Sequence, residues 1–589
     1  MMDMKLVNTA LGKEPADMVI KGGKLINVDS GEIYETDIAL RGTRIASIGP
    51  LSEGVYGPET KIVDAKGMYV APGFIDAHIH IESSMLTYTE FSKLAVKRGT
   101  TAVATDLMEV TIVSGIEGMK EILKEAESLP IKLFYPVPSF MEDESALQTT
   151  GAVLSAEYIG ELLKLDNAVG IAETLAPPIL AGSPASARVI ELAEQLGKTV
   201  EGHAPAVMGE ALNAYASAGV TSDHESTHKQ EALEKLRAGL RVLMREGSAS
   251  TDLKDCLRII TEEGVDTRHC AMVSDDVDAL HLSRLGHMDH KIRMAIAAGV
   301  DPVKAIQMAT INPAEGLRID RICGSVAPGK DADIVLLSDL TTCKVETVIS
   351  RGEIVVEGGR VAKEFPAPKY SDLLLDTVVY KNPITAEDMK LKVDASAKSA
   401  KVRVIGASSV SLLTQALEAE LAVKDGVVLP DVEQDVLSIV CVERYGKNGN
   451  IGHGFIKGFE LKEGAIAISV GHDHHNVSVV GSDAEDMACA VNRIAELQGG
   501  LVLVNKGQVL AEIALPVCGL LSTDDGELVA DQLADMIEKL KKLGCNVPSP
   551  NVTLSFITLI FIPDYAITDR GLFDVKEFKI VDPILALNR

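Results

Sequence analysis

The chain contains no Cys-X-X-Cys pair, no Gly-X-Ser-X-Gly segment and no apolar stretch long enough to span a bilayer. The first absence removes a zinc knuckle and a dithiol redox centre, and the eight scattered cysteines read mostly as small buried apolar residues. The second removes the serine elbow of α/β hydrolases, and the missing Pro-Cys-X-X-Cys element removes the cytidine-deaminase type of zinc site. The longest strongly apolar run, Leu554 to Ile562, is about half of the roughly 20 residues a membrane-spanning helix needs. Positive charge is also short: 57 Lys and Arg face 85 Asp and Glu, a net charge of −28 that repels polyanions and argues against a nucleic-acid partner. Met1 to Gly12 includes Asp3 and lacks the basic region, apolar run and cleavage site of a secretory leader. A cytoplasmic protein without a membrane segment is expected. No low-complexity tract or short repeat period interrupts the chain.

What remains is a chain of 589 residues, 46% hydrophobic and 24% charged, a composition that folds. At roughly 150 residues per domain it has room for about four units, or for one large barrel with attachments. Residues 18–49 read as short strands around glycine turns, with Val19-Ile20 and Leu25-Ile26 flanking Gly22-Gly23, and similar patterning returns at 333–362. These halves, residues 1–71 and 324–369, are expected to build one composite β-sandwich around an inserted domain. Between 72 and 323, eight short apolar runs alternate with helix-like stretches, the rhythm of parallel βαβ units. The runs are 74–82, 101–106, 132–137, 168–173, 199–203, 220–224, 241–245 and 270–275. The expected fold class is therefore α/β: a (β/α)8 TIM-like barrel with a flanking β-sandwich and an additional C-terminal α+β domain over 370–589.

Catalytic groups of such barrels sit at the C-terminal ends of the strands. In the first run, apolar residues occupy 75, 77, 79 and 81 while Asp76, His78, His80 and Glu82 alternate with them. Strand side chains alternate faces, so both histidines point one way and can reach one metal ion. Two solvated histidines on an edge strand would be the plainer reading, but the apolar partners and the preceding Pro72-Gly73 favour a buried central strand. Other runs end in Glu173, His203, His224 and Asp275. With His78 and His80 they supply four imidazoles and two carboxylates, enough for two divalent ions if one carboxylate, Glu173, bridges. Two such ions would lower the pKa of a shared water from about 15.7 toward neutrality, and hydrolytic attack is the expected chemistry. Asp275 would carry the proton. Glu225 is a second candidate proton carrier or a helix N-terminal carboxylate, and Asp276 a candidate orienting group.

Three motif matches lead elsewhere. His224-Glu225-Ser226-Thr227-His228 fits the His-Glu-X-X-His pattern of zinc peptidases, yet His224 follows a strand-like exit and Ser226 or Thr227 is the expected N-cap of a helix from Lys229. Gly324 to Lys330 approximates a phosphate loop, but Asp331 replaces the magnesium-binding hydroxyl and Pro328 removes an amide donor, so a turn is expected. Glycines 446, 449, 452 and 454 lack a strand-then-helix setting and are expected in a flexible loop. His472, His474 and His475 form their own metal site, a loop that reaches another pocket, or a polar hairpin.

The motif Pro72 to Ser84, together with Gly202-His203, Asp223-His224-Glu225, Arg245 to Ser248, Ser274-Asp275-Asp276 and Gly286 to His290, resembles the amidohydrolase superfamily. Val470 to Asp473, His475-Asn476 and Thr568 to Leu572 make it most similar to the bacterial and archaeal adenine deaminase family, nearly end to end. The resemblance implies hydrolysis of adenine to hypoxanthine and ammonia in purine salvage, at a two-metal centre with manganese as the first candidate and iron or zinc as others. It implies that bridging hydroxide attacks C6, with Asp275 helping to protonate the leaving ammonia, and that Glu82 and His475 contact the substrate. The chain departs from the family at Thr105 to Glu109, which lacks an expected histidine, and at Thr174 to Pro178. A related amidohydrolase acting on another aminopurine or a cyclic amide, or a metal-free scaffold, are the alternatives. The partner is a small molecule, and a homo-oligomer is expected.

Overall fold

The computed structural model describes residues 3–139, 146–248, 250–407, 413–561 and 564–589. The end of the apolar run at Leu554 thus lies outside the described residues, and among these no helix is long and apolar enough to cross a membrane.

Eight parallel strands form the central sheet: β1 (Phe74–Asp76), β2 (Thr100–Ala104), β3 (Lys132–Pro138), β4 (Ala168–Leu175), β5 (Thr199–His203), β6 (Ser222–Asp223), β7 (Arg241–Arg245) and β8 (Cys270–Val273). Every residue of β2 and β4 is buried, as strands covered on both faces require. The ring is completed beyond the ends of β1 and β8, where Ile79–His80 pairs in parallel with Asp275–Asp276. There the Asp275 amide donates to the carbonyl of His78 at 3.0 Å. The barrel's seam therefore runs through residues expected to do chemistry.

That seam corrects the expectation of one unbroken strand from 74 to 82. The chain leaves β1 after Asp76, re-pairs at Ile79–His80, and turns into a 3-10 helix at Ile81–Ser84 that carries Glu82. Asp76 accordingly turns away from the metal-competent histidines and pairs with His287 Nε2 at 2.9 Å. It also accepts from the Ser274 amide. It is a structural carboxylate of the seam.

Strands from both flanking segments share one nine-stranded sheet, in which Ile334–Asp339 runs antiparallel to Tyr69–Pro72. Ile38, Ile45, Leu336 and Ile349, from distant parts of this sheet, meet in one apolar cluster. Met18–Asn27 is one continuous strand with a register shift between Ile20 and Gly23, where two separate short strands were expected. Gly22 adopts φ +67°, and a Cβ on Gly23 would lie 2.4 Å from a Val70 methyl, so the pair makes a close-packed bulge. The turn expected at Gly324 to Lys330 is present and leads into Ile334–Asp339.

The C-terminal part is built on a ten-stranded sheet. The helix Ala484–Leu497 covers it, capped by the Asp483 side chain and burying Met487, Val491 and Ile494 at helical spacing. Gly452 and Gly454 lie within the strand Ile451–Lys457, so the expected loop there is corrected: a Cβ at Gly452 would meet the Thr568 carbonyl at 1.9 Å. The turn holding Gly446 and Gly449 is ordered by the Glu443 carboxylate, which accepts from the amides of Tyr445, Lys447, Asn448 and Gly449. The histidine-rich segment links Ala465–Ile468 to Val477–Gly481 and enters the barrel mouth.

Lys132 on β3 and Asp333, next to the returning strand, form a buried ion pair that ties the barrel to the nine-stranded sheet. Lys132→Ala strands a buried carboxylate and is expected to cost about 3–5 kcal/mol, lowering the first calorimetric unfolding transition, whereas the double change Lys132→Met with Asp333→Leu restores most of it. An unchanged transition in the single variant would show that the pair contributes nothing.

Candidate metal centre

Six side chains from the rim of the barrel converge. His78 and His80 come from the seam, Glu173 from β4, His203 from the end of β5, His224 from just beyond β6 and Asp275 from just beyond β8. Glu173 is the hub. Its Oε1 lies 3.4 Å from His78 Nε2, 3.5 Å from His80 Nε2 and 3.4 Å from His224 Nε2, and its Oε2 lies 2.6 Å from His203 Nδ1. Asp275 Oδ1 is 3.5 Å from His78 Nε2 and 3.7 Å from His80 Nε2. The rings of His78 and His224 stack at 3.8 Å.

These spacings fit metal ligation. Separations of 3.4–3.7 Å are too long for hydrogen bonds, but donors about 2.1 Å from a shared tetrahedral ion sit about 3.4 Å apart. Three overlapping triads (His78, His224, Asp275; His78, His80, Glu173; Glu173, His203, His224) each hold their donor atoms within 4.8 Å of one another. His78 Nε2 and Glu173 Oε1 are buried without a hydrogen bond. The group is thus competent to bind divalent metal.

Backbone geometry aims both carboxylates. Glu173 (φ +54°) and Asp275 (φ +58°) occupy the left-handed region, at a cost of roughly 1–3 kcal/mol each that the surrounding barrel must offset. Their directions are then fixed by further polar contacts. Arg245 on β7 donates through Nη1 to Glu225 Oε1 at 2.5 Å and to Asp275 Oδ2 at 3.0 Å, and through Nε to Asp252 at 2.8 Å. Burial raises the cost of ionising Asp275, but His78 and Arg245 outweigh it and hold the carboxyl far below its ordinary value. Glu225 is held ionised in the same way, chiefly by Arg245 and His203.

Sequence reasoning missed Glu201. Its Oε1 lies 2.6 Å from His78 Nδ1 and 3.4 Å from His224 Nδ1, so one carboxylate orients two imidazoles from below. The signal was available, because Glu201 shares β5 with His203 two residues on and therefore faces the same way. Asp106 plays the matching part for His80, 3.3 Å from its Nδ1. A fully buried Lys235 donates to Asp223, Glu231 and the Ala204 carbonyl, while Asp223 accepts from the Ala204 and Glu225 amides. This network locks the strand ends that carry His203 and His224.

The His-Glu-X-X-His match does not form one helical face: His224 belongs to the strand exit, and the half-exposed His228 occupies the N-cap position of the helix Lys229–Arg237 without a side-chain capping bond. The cap falls on His228, where Ser226 or Thr227 was expected, because Thr227 donates instead to Glu231.

A cavity of about 380 Å³ opens over the cluster, within the usual range for small-molecule sites. Met108, Leu175, Phe556 and Phe561 give it apolar walls, and Glu109, His472, Asp473 and Asp276 give it polar ones. The histidine-rich segment thus reaches another pocket, as one of its three expected forms allowed. Glu82 and His475, the expected substrate contacts, do not border the cavity. His475 Nε2 bonds to Glu109. Glu82 lies behind, where burial and the charges of Asp106 and Glu109 push its carboxyl up to about 8. Asp276 accepts from Ser83 and lies 3.8 Å from His472 Nε2.

Residues 69–355 match the model of the amidohydrolase family, and residues 411–579 match that of the adenine deaminase C-terminal domain. The chain is 40% identical over 582 residues to an adenine deaminase of Moorella thermoacetica, with 98% of each chain covered. It is 41% identical over 597 residues to adenine deaminase 1 of Carboxydothermus hydrogenoformans, again with 98% of each covered. Among solved structures, an adenosine deaminase from Xanthomonas campestris with bound zinc aligns at 17% identity and a TM-score of 0.46, covering 60% of this chain and 95% of that one.

Two outcomes follow from the geometry. Glu201→Gln keeps the shape but weakens the acceptor beneath two imidazoles, so metal affinity in equilibrium dialysis should fall by about 10–100-fold; an unchanged affinity would remove Glu201 from the site. In metal-free protein, burial and His224 oppose a proton on His78, but Glu201 and Asp275 outweigh them and lift it to about 9 from 6.5. The folded value is the higher one, so this stabilisation is complete below about pH 6.5 and is lost as pH rises through 9. The melting temperature of metal-free protein should fall across that window, and loading with metal should abolish the dependence.

Proposed function

The chain belongs to the adenine deaminase family of the amidohydrolases, and on that premise we propose that it hydrolyses adenine to hypoxanthine and ammonia. The observation that carries this reading is that similarity spans the C-terminal part as well as the barrel, and the C-terminal part brings His472 and Asp473 to the cavity over the metal-competent cluster.

In this reading His78, His80, Glu173, His203, His224 and Asp275 would hold two divalent ions, with the Glu173 carboxylate, which lies against all four histidines, as their common ligand residue. Manganese is our assignment, and iron or zinc suits the same donors. Such ions, when bound, lower the pKa of water from about 15.7 toward neutrality and supply a nucleophile at working pH. Asp275, kept anionic and with Oδ2 tied to Arg245, takes the proton of the attacking water and returns it to the departing amino nitrogen. Glu225, 3.3 Å from His224 Nε2 and bonded to the same guanidinium, is an anionic base that takes the second proton of the water and passes it to the ring nitrogen, so that both water protons are used. The apolar walls exclude bulk water from the reacting carbon. His475 acts on the cavity through Glu109, and Glu82, kept largely protonated by burial beside Asp106 and Glu109, stands behind it as a neutral acid. The enzyme works in purine salvage, in the cytoplasm, as a homo-oligomer.

Manganese-loaded protein should release ammonia from adenine, and His80→Ala and Asp275→Asn should each lower kcat by at least about 100-fold. Adenine left intact while another aminopurine or a hydantoin is consumed would transfer the assignment to that substrate class.

A further inference from the structure

Apart from the six donors of the barrel rim, a second group of metal-competent side chains borders the same cavity. Glu109 stands in the first turn of the helix Met108–Glu127, while His472 and Asp473 come from the C-terminal segment, and all three are buried. One donor atom from each lies within 4.8 Å of the other two. We propose that Glu109, His472 and Asp473 hold a third divalent cation of the transition-metal class, seated between the barrel and the C-terminal part. The inference does not depend on which substrate the enzyme takes.

The donor set is one imidazole and two carboxylates, which suits zinc, manganese or ferrous ion. His472 Nδ1 lies 2.8 Å from Glu109 Oε1 and 3.7 Å from Asp473 Oδ1, both close to the roughly 3.4 Å spacing of donors around one ion, and donor atoms of Glu109 and Asp473 lie within 4.8 Å of each other. Asp473 Oδ2 is buried with no hydrogen bond, a polar atom that folding alone leaves unsatisfied. Two carboxylates buried side by side demand positive charge, which a divalent ion supplies.

The surroundings are built as metal sites are built. The Gly471 amide donates to His475 Nδ1 at 3.1 Å, which places the proton of the neutral ring on Nε2, and that nitrogen bonds to Glu109. An imidazole of fixed tautomer thus orients the Glu109 carboxylate, leaving Oε1 for the ion. The Thr558 hydroxyl donates to the His472 carbonyl at 2.7 Å and the His472 amide donates to the Ser555 carbonyl at 2.9 Å, so the backbone bearing the donors is anchored on both sides. On the far side of the His472 ring, Nε2 faces Asp276 at 3.8 Å, next to the rim ligand Asp275. The cavity that admits substrate also borders all three side chains, giving a cation its route in.

The test counts ions on the full-length chain. Metal-free protein is reloaded with excess manganese, desalted and analysed by inductively coupled plasma mass spectrometry, and manganese-loaded crystals are examined by anomalous diffraction. Three ions per chain are expected in the natural protein and two in Asp473→Ala or His472→Phe. One ion is expected to remain in His80→Ala combined with His224→Ala. An anomalous peak should lie among Glu109, His472 and Asp473. Two ions in the natural protein and an unchanged two in the variants, or no anomalous peak at that position, would overturn the proposal. Should the variants fail to fold, the anomalous map of the natural protein decides alone. Adenine turnover is read separately, so a three-ion protein inert toward adenine would sink the deaminase reading and leave this one standing.

Discussion

The Glu173 carboxylate sits within 3.5 Å of a nitrogen on each of four histidines, and the barrel mouth is organised around that fact. One buried carboxylate cannot satisfy these four imidazoles by hydrogen bonding, because three of them converge on Oε1, which has only two lone pairs, at 3.4–3.5 Å, too long for hydrogen bonds. A site with this excess of donors is built for ions. Burial alone would drive Glu173 toward the neutral acid, yet the charges of His203 and His224 reverse that tendency.

The remaining polar groups fall into place around this hub. Glu201 and Asp106 fix the far nitrogens of the histidines, and Arg245 neutralises the two carboxylates that border Glu173's neighbours. Lys235 works one layer further out, on the loops themselves. Each of these groups is buried and paired, so the site is rigid in the directions that matter for ligation. The left-handed backbone at Glu173 and Asp275 is the strained counterpart of that rigidity.

Much of this was legible in the chain because strand periodicity is local. Alternation placed His78 and His80 on one face, and the βαβ rhythm put Glu173, His203, His224 and Asp275 at strand ends. The break after Asp76 was not legible, since it is forced by pairing with residues about 200 positions away. Nor was the Glu109–His475 contact, which joins groups 366 residues apart and has no local pattern. The bulge at Gly22-Gly23 was misread as a turn because a glycine pair marks both, and only the packing of Val70 against Gly23 tells them apart. Glu201 was simply overlooked: it obeys the same alternation as His203.

The sheet shared by the two flanking segments has a consequence for how the chain is made. Tyr69–Pro72 pairs with Ile334–Asp339, so 334 − 72 = 262 residue steps of synthesis separate the two sides of that ladder. At about 5–20 residues per second, the ribosome takes roughly 13–52 s to deliver the second partner. Throughout that interval the early strands carry an unpaired edge while the barrel emerges between them, and their apolar face lacks Ile334, Leu336 and Ile349. The nascent protein therefore passes through a stage in which its oldest segment is its least finished, and that stage is where a holding chaperone has surface to grasp.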